Sequence, residues 1–258
     1  MTSTLPTDLP VDQDGDPAAR IALVLHGGGG PQTVAPIVGH LAATMHAVAP
    51  THPGWDGTAR PEAIASVADL AHAYLDHLVD RDEHDVVLIG SSIGGWVALE
   101  MAVQAAADDR YRGRIGAVVV IDGVGVVVDG EPIADFFALD ARGLAEVAWH
   151  DPERGYRDPA GSTDEQRAVQ QANGRTMAAV AGTSMSDPTL LGRLGAVDVP
   201  TLVVWGATDR VVTPAYGRAV AAAVPGAQFV EVPAAGHLPH LEAPDATWAV
   251  IDPFLRRS

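Results

Sequence analysis

The sequence predicts an α/β protein: a doubly wound, mostly parallel sheet covered by helices, with a small helical lid. Two observations carry that expectation. Six short apolar runs alternate with segments whose apolar residues recur at helical spacing, which is the signature of βαβ units. That rhythm then fails once, between residues 124 and 195, and resumes afterwards.

The runs are Ile21 to Leu25, His46 to Ala49, Asp85 to Gly90, Ala117 to Ile121, Thr201 to Trp205 and Gln228 to Val232. The most apolar are unbroken, as strands of a sheet covered on both faces must be. Residues 1–20 are rich in Pro, Asp and Thr without periodicity, and predict a lead-in with at most one short edge strand. Helical segments are expected at about 33–44, 62–80, directly after Gly90, and at 214–224 and 245–255. In the second, Ile64, Val67, Leu70, Ala71, Tyr74, Leu75 and Leu78 mark one apolar face. The stretch 124–195 reads as two helices, about 133–149 and 163–181, around a Pro/Gly/Asp-rich loop from 151 to 161. It would cap the carboxyl ends of the strands, where open α/β sheets bind ligands. The expected division is a core of 1–123 and 196–258 with a helical lid insertion at 124–195.

Composition narrows the chemistry. With no cysteine among 258 residues there is no disulfide framework, thiol nucleophile or thiolate metal site. All 16 basic residues are Arg, so a lysine Schiff base and a Walker A loop are excluded. The 33 acidic residues bring the net charge to −17, which argues against nucleic acid and anionic membranes as partners. Met1 to Pro10 has neither the basic start nor the apolar stretch of a signal peptide. No apolar run approaches the length of a membrane span. A cytoplasmic protein acting on a small molecule is expected, with oligomeric state left open.

The chemistry centres on Gly90-Ser91-Ser92-Ile93-Gly94, between an apolar strand and an alanine-rich helical segment. Strand, tight turn and helix in that order form a nucleophile elbow, with Ser92 at its tip. A serine hydroxyl needs a base, and the base an orienting acid. His237 follows the last strand, and Asp209 follows the strand at 201–205, giving the order Ser, Asp, His. Asp122 ends the strand after the elbow and satisfies the same order, so it rivals Asp209. His240 competes with His237 but reads as structural, and His26 as a brace for the glycine loop after it. His72, His77 and His84 lack metal-ligand spacing.

These segments resemble the α/β-hydrolase superfamily, in its lidded branch of serine esterases, lipases and carbon–carbon bond hydrolases. His26-Gly27-Gly28, the Pro50 to Gly57 loop, the elbow, Trp205-Gly206-Ala207-Thr208-Asp209 and Gly236-His237 stand in the family's order. The resemblance implies an α/β-hydrolase fold with catalytic Ser92, Asp209 and His237. It also implies an oxyanion hole from the N–H groups of Ile93 and Gly28, with Gly27 and Gly29 as alternatives to the latter. It implies no cofactor and no metal. Serine at the elbow, in place of the aspartate of dehalogenases and epoxide hydrolases, implies attack on a carbonyl. The expected function is cleavage of a small carboxylic ester, thioester or lactone through an acyl-enzyme. A carbon–carbon hydrolase of a diketone-type substrate and a non-catalytic ligand-binding or receptor protein are the alternatives. Phe136, Phe137, Trp149, Tyr156, Met177 and Met185 are candidate pocket residues in the lid.

Overall fold

A computed structural model of the chain describes residues 5–258. The readings of the lead-in and of a missing signal sequence therefore fall partly on residues outside the described ones. One seven-stranded sheet organises the rest. Its strands are β1 (Val11–Asp14), β2 (Ile21–Leu25), β3 (His46–Pro50), β4 (Val86–Ser91), β5 (Ile115–Ile121), β6 (Thr201–Gly206) and β7 (Gln228–Val232). They lie in the order β1-β3-β2-β4-β5-β6-β7. All neighbours are parallel except β1, which pairs antiparallel with β3 at the edge. The six expected strands and the edge strand of the lead-in are all present.

Alternation along the strands separates two apolar layers. Leu23, Leu25, Val86, Leu88, Val118 and Val120 face the helices α2 (Val67–Asp80) and α3 (Ile93–Ala107). Ala22, Val24, Val87, Ile89, Val119 and Ile121 face the opposite side, which α1 (Ala35–Leu41) covers. This is the burial on both faces that the unbroken runs require. Helix α2 is capped by Ser66, which accepts a hydrogen bond from the Asp69 N–H, and so starts at Val67, five residues later than expected. Helix α3 buries every residue from Ile93 to Val103.

Residues 124–195 hold α4 (Ala141–Ala148), α5 (Pro152–Gly155), α6 (Asp164–Ala181) and α7 (Leu190–Arg193). The expected helix over 133–149 is realised only from Ala141. Asp135 accepts hydrogen bonds from the N–H groups of Phe137 and Ala138, which fixes a turn, and Asp140 then caps α4. Short acidic side chains compete with the helix for backbone donors, and the apolar spacing alone does not reveal it. Helix α6 matches its expected range and begins with a capping box of Thr163 and Gln166. The chain closes with α8 (Pro214–Ala223), α9 (Pro239–Glu242) and α10 (Pro244–Leu255). Helix α8 shares the layer of α2 and α3, and α10 that of α1. Among the described residues no helix is long and apolar enough to cross a membrane.

Arg193 anchors the return of this segment to the core. Its guanidinium grips the buried Glu100 of α3 through two bonds of 2.9 and 2.8 Å and also reaches Asp187 at 2.7 Å. Removing the cation would strand a buried carboxylate. Arg193→Met is expected to lower stability by about 3 kcal/mol in urea unfolding, with much of the loss recovered in Glu100→Gln/Arg193→Met.

Candidate active site

The strand order reverses between β2 and β4: the chain passes from β2 outward to β3, then back across to β4. Ligands in open α/β sheets bind at such a switch point, beyond the carboxyl ends of the strands. Register decides which residues meet there. Leu25 lies opposite Gly90, so the His26-Gly27-Gly28 loop emerges beside Ser92. Ser91 lies opposite Ile121, which brings in Asp122, and Ile121 opposite Val204 brings in the loop after β6.

Ser92 sits at this point with φ 57° and ψ −119°, a conformation L-residues rarely adopt. The chain must turn from β4 into α3 without an intervening loop, and close approach of backbones makes that possible. A Cβ on Gly90 would lie 2.1 Å from the Gly94 carbonyl oxygen, and one on Gly94 would lie 1.9 Å from that of Leu25. The Ser92 N–H bonds to the Ile121 carbonyl at 3.0 Å, and the Ser92 carbonyl accepts from Gly95 and Trp96.

The Ser92 hydroxyl donates to His237 Nε2 at 2.9 Å, and His237 Nδ1 donates to Asp209 Oδ2 at 2.8 Å. A carboxylate only accepts, so Asp209 fixes the proton on Nδ1 and leaves Nε2 free to accept from Ser92. The other Asp209 oxygen accepts from the N–H groups of Val211 and Val212. Ser92, His237 and Asp209 are all buried. Asp122 does not touch the imidazole through any such bond. Its Oδ1 accepts from the Gly206 N–H at 2.8 Å, and its carboxyl stands against Asp209. Asp122, Asp209 and His237 each offer one ligand atom within 4.8 Å of the others. Both His237 nitrogens and Asp209 Oδ2 are already engaged in the hydrogen-bonded chain, so the cluster is built around protons.

Ile93 opens α3, so its N–H has no intrahelical acceptor. Gly28 lies close by: a Cβ there would meet the Met177 sulfur at 2.6 Å and the Ile93 side chain at 3.7 Å. Gly27 runs against Ser92 itself, with 2.9 Å from its Cβ position to the serine Cβ. The glycine loop is held from behind by a hydrogen-bonded chain. Tyr74 donates to His52 Nδ1, His52 Nε2 donates to the His26 carbonyl, and the His52 N–H donates to His26 Nε2. His26 Nδ1 then donates to the Gly27 carbonyl. Each partner fixes a tautomer, so both rings are neutral single-proton braces. Burial lowers His26 to about 4 and His52 well below the usual imidazole value. His240 is also a brace: it reaches the Thr33 carbonyl at 3.0 Å, and burial lowers it to about 4.

The segment 124–195 lies over this centre. The Ala148 carbonyl accepts from the His237 N–H at 2.7 Å, and the Phe136 ring stands 6.3 Å from the imidazole. On the other side Asn173 exchanges hydrogen bonds with Asp56, and Thr176 donates to the Gly54 carbonyl. Of the six candidate pocket residues, Phe136 and Met177 face the site. Met185 is core, Phe137 is exposed, Trp149 packs on Gly155, and Tyr156 lies beneath Arg142. His72, His77 and His84 form no cluster; His72 lies 3.8 Å from Asp76. Three residues to which the sequence gives no role in the site support it. His52 and Tyr74 complete the brace. Glu242 is buried and accepts from the N–H groups of Gly236 and His150, tying the His237 loop to the end of α4.

Known proteins share this fold. Residues 22–250 match the model of the alpha/beta hydrolase family. An uncharacterised protein of Mycobacterium tuberculosis is 24% identical over 259 residues, covering 90% of this chain and 74% of its own. Among solved structures, a thermophilic esterase from Thermogutta terrifontis superposes with a TM-score of 0.75 at 22% identity, covering 99% of this chain and 97% of its own. The enol-lactonase from Burkholderia xenovorans gives 0.74 at 19% identity, covering 96% of each chain. At such identity these structures show a shared fold.

The neutral histidines set an acid limit. In the unfolded chain they take up protons near pH 6.5, whereas folded His26 and His240 resist until about pH 4. Between those values the unfolded state binds more protons, so stability falls as the pH is lowered through that window. Urea unfolding at several pH values should show this slope. His240→Gln should flatten it by up to about 1.4 kcal/mol per pH unit, one proton's worth.

Proposed function

We propose that this chain, which belongs to the alpha/beta hydrolase family, is a serine hydrolase that cleaves a small carboxylic ester, thioester or lactone through an acyl-enzyme. The observation that carries this reading is the unbroken chain from the Ser92 hydroxyl through His237 to Asp209. An esterase and an enol-lactonase share the fold, and both names describe the ester class of substrate.

Ser92 Oγ attacks the carbonyl carbon while His237 Nε2 takes its proton, and the carbonyl π pair moves onto oxygen. The resulting imidazolium is stabilised by Asp209, whose charge is already balanced by two backbone N–H groups. The oxyanion rests on the N–H groups of Ile93 and Gly28, each such donor being worth about 10²–10³ in rate. Collapse expels the leaving group, which takes the proton from His237. Water then attacks the acyl-enzyme with His237 as base, and the acid departs as Ser92 regains its hydrogen. Residues 124–195 act as the lid of this site, with Phe136 and Met177 bounding the space above Ser92.

Turnover of p-nitrophenyl acetate and butyrate tests the reading. Ser92→Ala should lose about 10⁶ in kcat, and Asp209→Asn about 10⁴ with the fold intact by circular dichroism. Hydrolysis that survives Ser92→Ala would sink the serine mechanism.

A further inference from the structure

Behind Asp209 lies a second carboxyl that the proposed reaction does not use. Asp122 is completely buried at the end of β5, with φ 45°. Register places it there: Ile121 pairs with Val204, and the Asp122 N–H continues the ladder to the Val204 carbonyl at 3.0 Å. Its Oδ1 accepts one backbone hydrogen bond, from Gly206 at 2.8 Å. No N–H or O–H donor among the described residues reaches Oδ2, which is shut off from solvent. The titratable groups around it are Asp209, His237 and Glu242.

Two carboxyls with oxygens within 4.8 Å of each other and away from solvent do not both carry charge. The donors decide which of them keeps the proton. Asp209 receives three hydrogen bonds, from Val211, Val212 and His237, and each stabilises its anion. Asp122 receives one. We propose that Asp122 is a positioning residue held as a neutral carboxylic acid, its Oδ2–H donating to Asp209, so that Asp209 carries the pair's single charge. The proton supplies the partner that the buried Oδ2 otherwise lacks. It also gives Asp209 a fourth donor, which fixes the carboxylate's orientation toward His237 and tempers its charge. Desolvation first, then the charge of Asp209 and the bond to it, push the Asp122 carboxyl well above its usual range. Keeping the acid neutral leaves the ion pair formed during turnover confined to Asp209 and His237.

The inference rests on the serine-hydrolase reading for its kinetic consequence but not for its protonation state, and the two are measured separately. Asn at position 122 preserves both hydrogen bonds: its carbonyl accepts from Gly206 and its amide donates to Asp209. Asp122→Asn is therefore expected to leave kcat/KM within about threefold of the parent, with the acid limb of the pH profile moved by less than about 0.3 unit. Asp122→Leu removes the donor, strengthens the hold of Asp209 on the imidazolium, and should raise that limb by about 0.5–1 unit. A purely structural role would lower stability in the Leu variant and leave the limb in place, which would overturn the proposal. So would a loss of about 10⁴ in Asp122→Asn, since Asp122 would then be the working acid. An acid limb about one unit or more lower in Asp122→Asn would mean that an ionised Asp122 had been removed. Infrared difference spectroscopy between parent and Asp122→Asn at neutral pH needs neither turnover nor a folded Leu variant. The parent should show the C=O stretch of a neutral carboxylic acid, lost on substitution; its absence overturns the proposal. A parent inactive on every ester but carrying that band would refute the hydrolase reading and leave the protonated acid standing.

Discussion

The rest of the structure depends on the reversal at Ser92, the one residue between a parallel strand and a helix. The serine pays for this with a left-handed φ, a strain on the order of 1–3 kcal/mol for a residue with a side chain. Contacts on every side offset it. Gly90 and Gly94 let β2, β4 and the first turn of α3 meet at backbone distance, and the flanking strand β5 supplies the acceptor for the Ser92 N–H. The same reversal aims the serine oxygen at His237 and leaves the Ile93 N–H beside it without a helical partner. Strain, the aim of the hydroxyl and a free donor are thus one geometric fact.

Around that point the protein handles charge with backbone dipoles. Asp209, Glu242 and Asp122 lie buried close together in a strongly acidic chain, and no arginine is among the buried residues described. Asp209 is balanced by two N–H groups and an imidazole, Glu242 by the N–H groups of Gly236 and His150. Fixed N–H donors stabilise a carboxylate without adding a mobile charge that would reorient as charge develops at His237. On the other wall His26, His52 and His240 are kept neutral by burial and act as rigid spacers. The imidazole that meets Ser92 thus stands between fixed backbone donors on one wall and buried neutral imidazoles on the other.

Much of this was legible in the sequence because it sits at strand ends. Unbroken runs such as Ala117 to Ile121 locate the strands, and the polar residue after each run lands at the edge where ligands bind. Chain order and flanking residues point to Ser92 and His237, with Asp209 preferred to its rival Asp122, and the structure brings the side chains of Ser92, His237 and Asp209 together. Chain order does not separate Asp122 from Asp209, because both follow strands and the distinction lies in a loop path: Asp209 reaches the imidazole and Asp122 stops behind it. The roles of Glu242, His52 and Tyr74 leave no mark in the sequence because their partners, backbone groups and other side chains, meet them only through the paths of the loops and strands. The start of α4 was misplaced because apolar spacing does not record that Asp135 and Asp140 claim the backbone donors first.

The segment 124–195 is tied to the core unequally, and the inequality follows from what each side must hold. Toward β6 and β7 the bonds run backbone to backbone: His237 to Ala148, Arg210 to Val147 and Ala134 to Val211. These fix the two loops that carry Asp209 and His237, and Glu242 adds a buried carboxylate to the same joint. Toward the Pro50 to Gly57 loop the ties are side chains, the buried Asn173 with the exposed Asp56 and Thr176 with Gly54, on a helix whose buried residues are few. Isolated side-chain bonds contribute less and open more readily than a set of backbone bonds. The proposed acid and base are therefore locked to the segment, while the face above Gly28 and Ser92, where Met177 stands, is the more easily parted. In the proposed reaction, a substrate entering there would meet the Ser92 hydroxyl and the N–H groups of Ile93 and Gly28 without disturbing the bonds from Ser92 through His237 to Asp209.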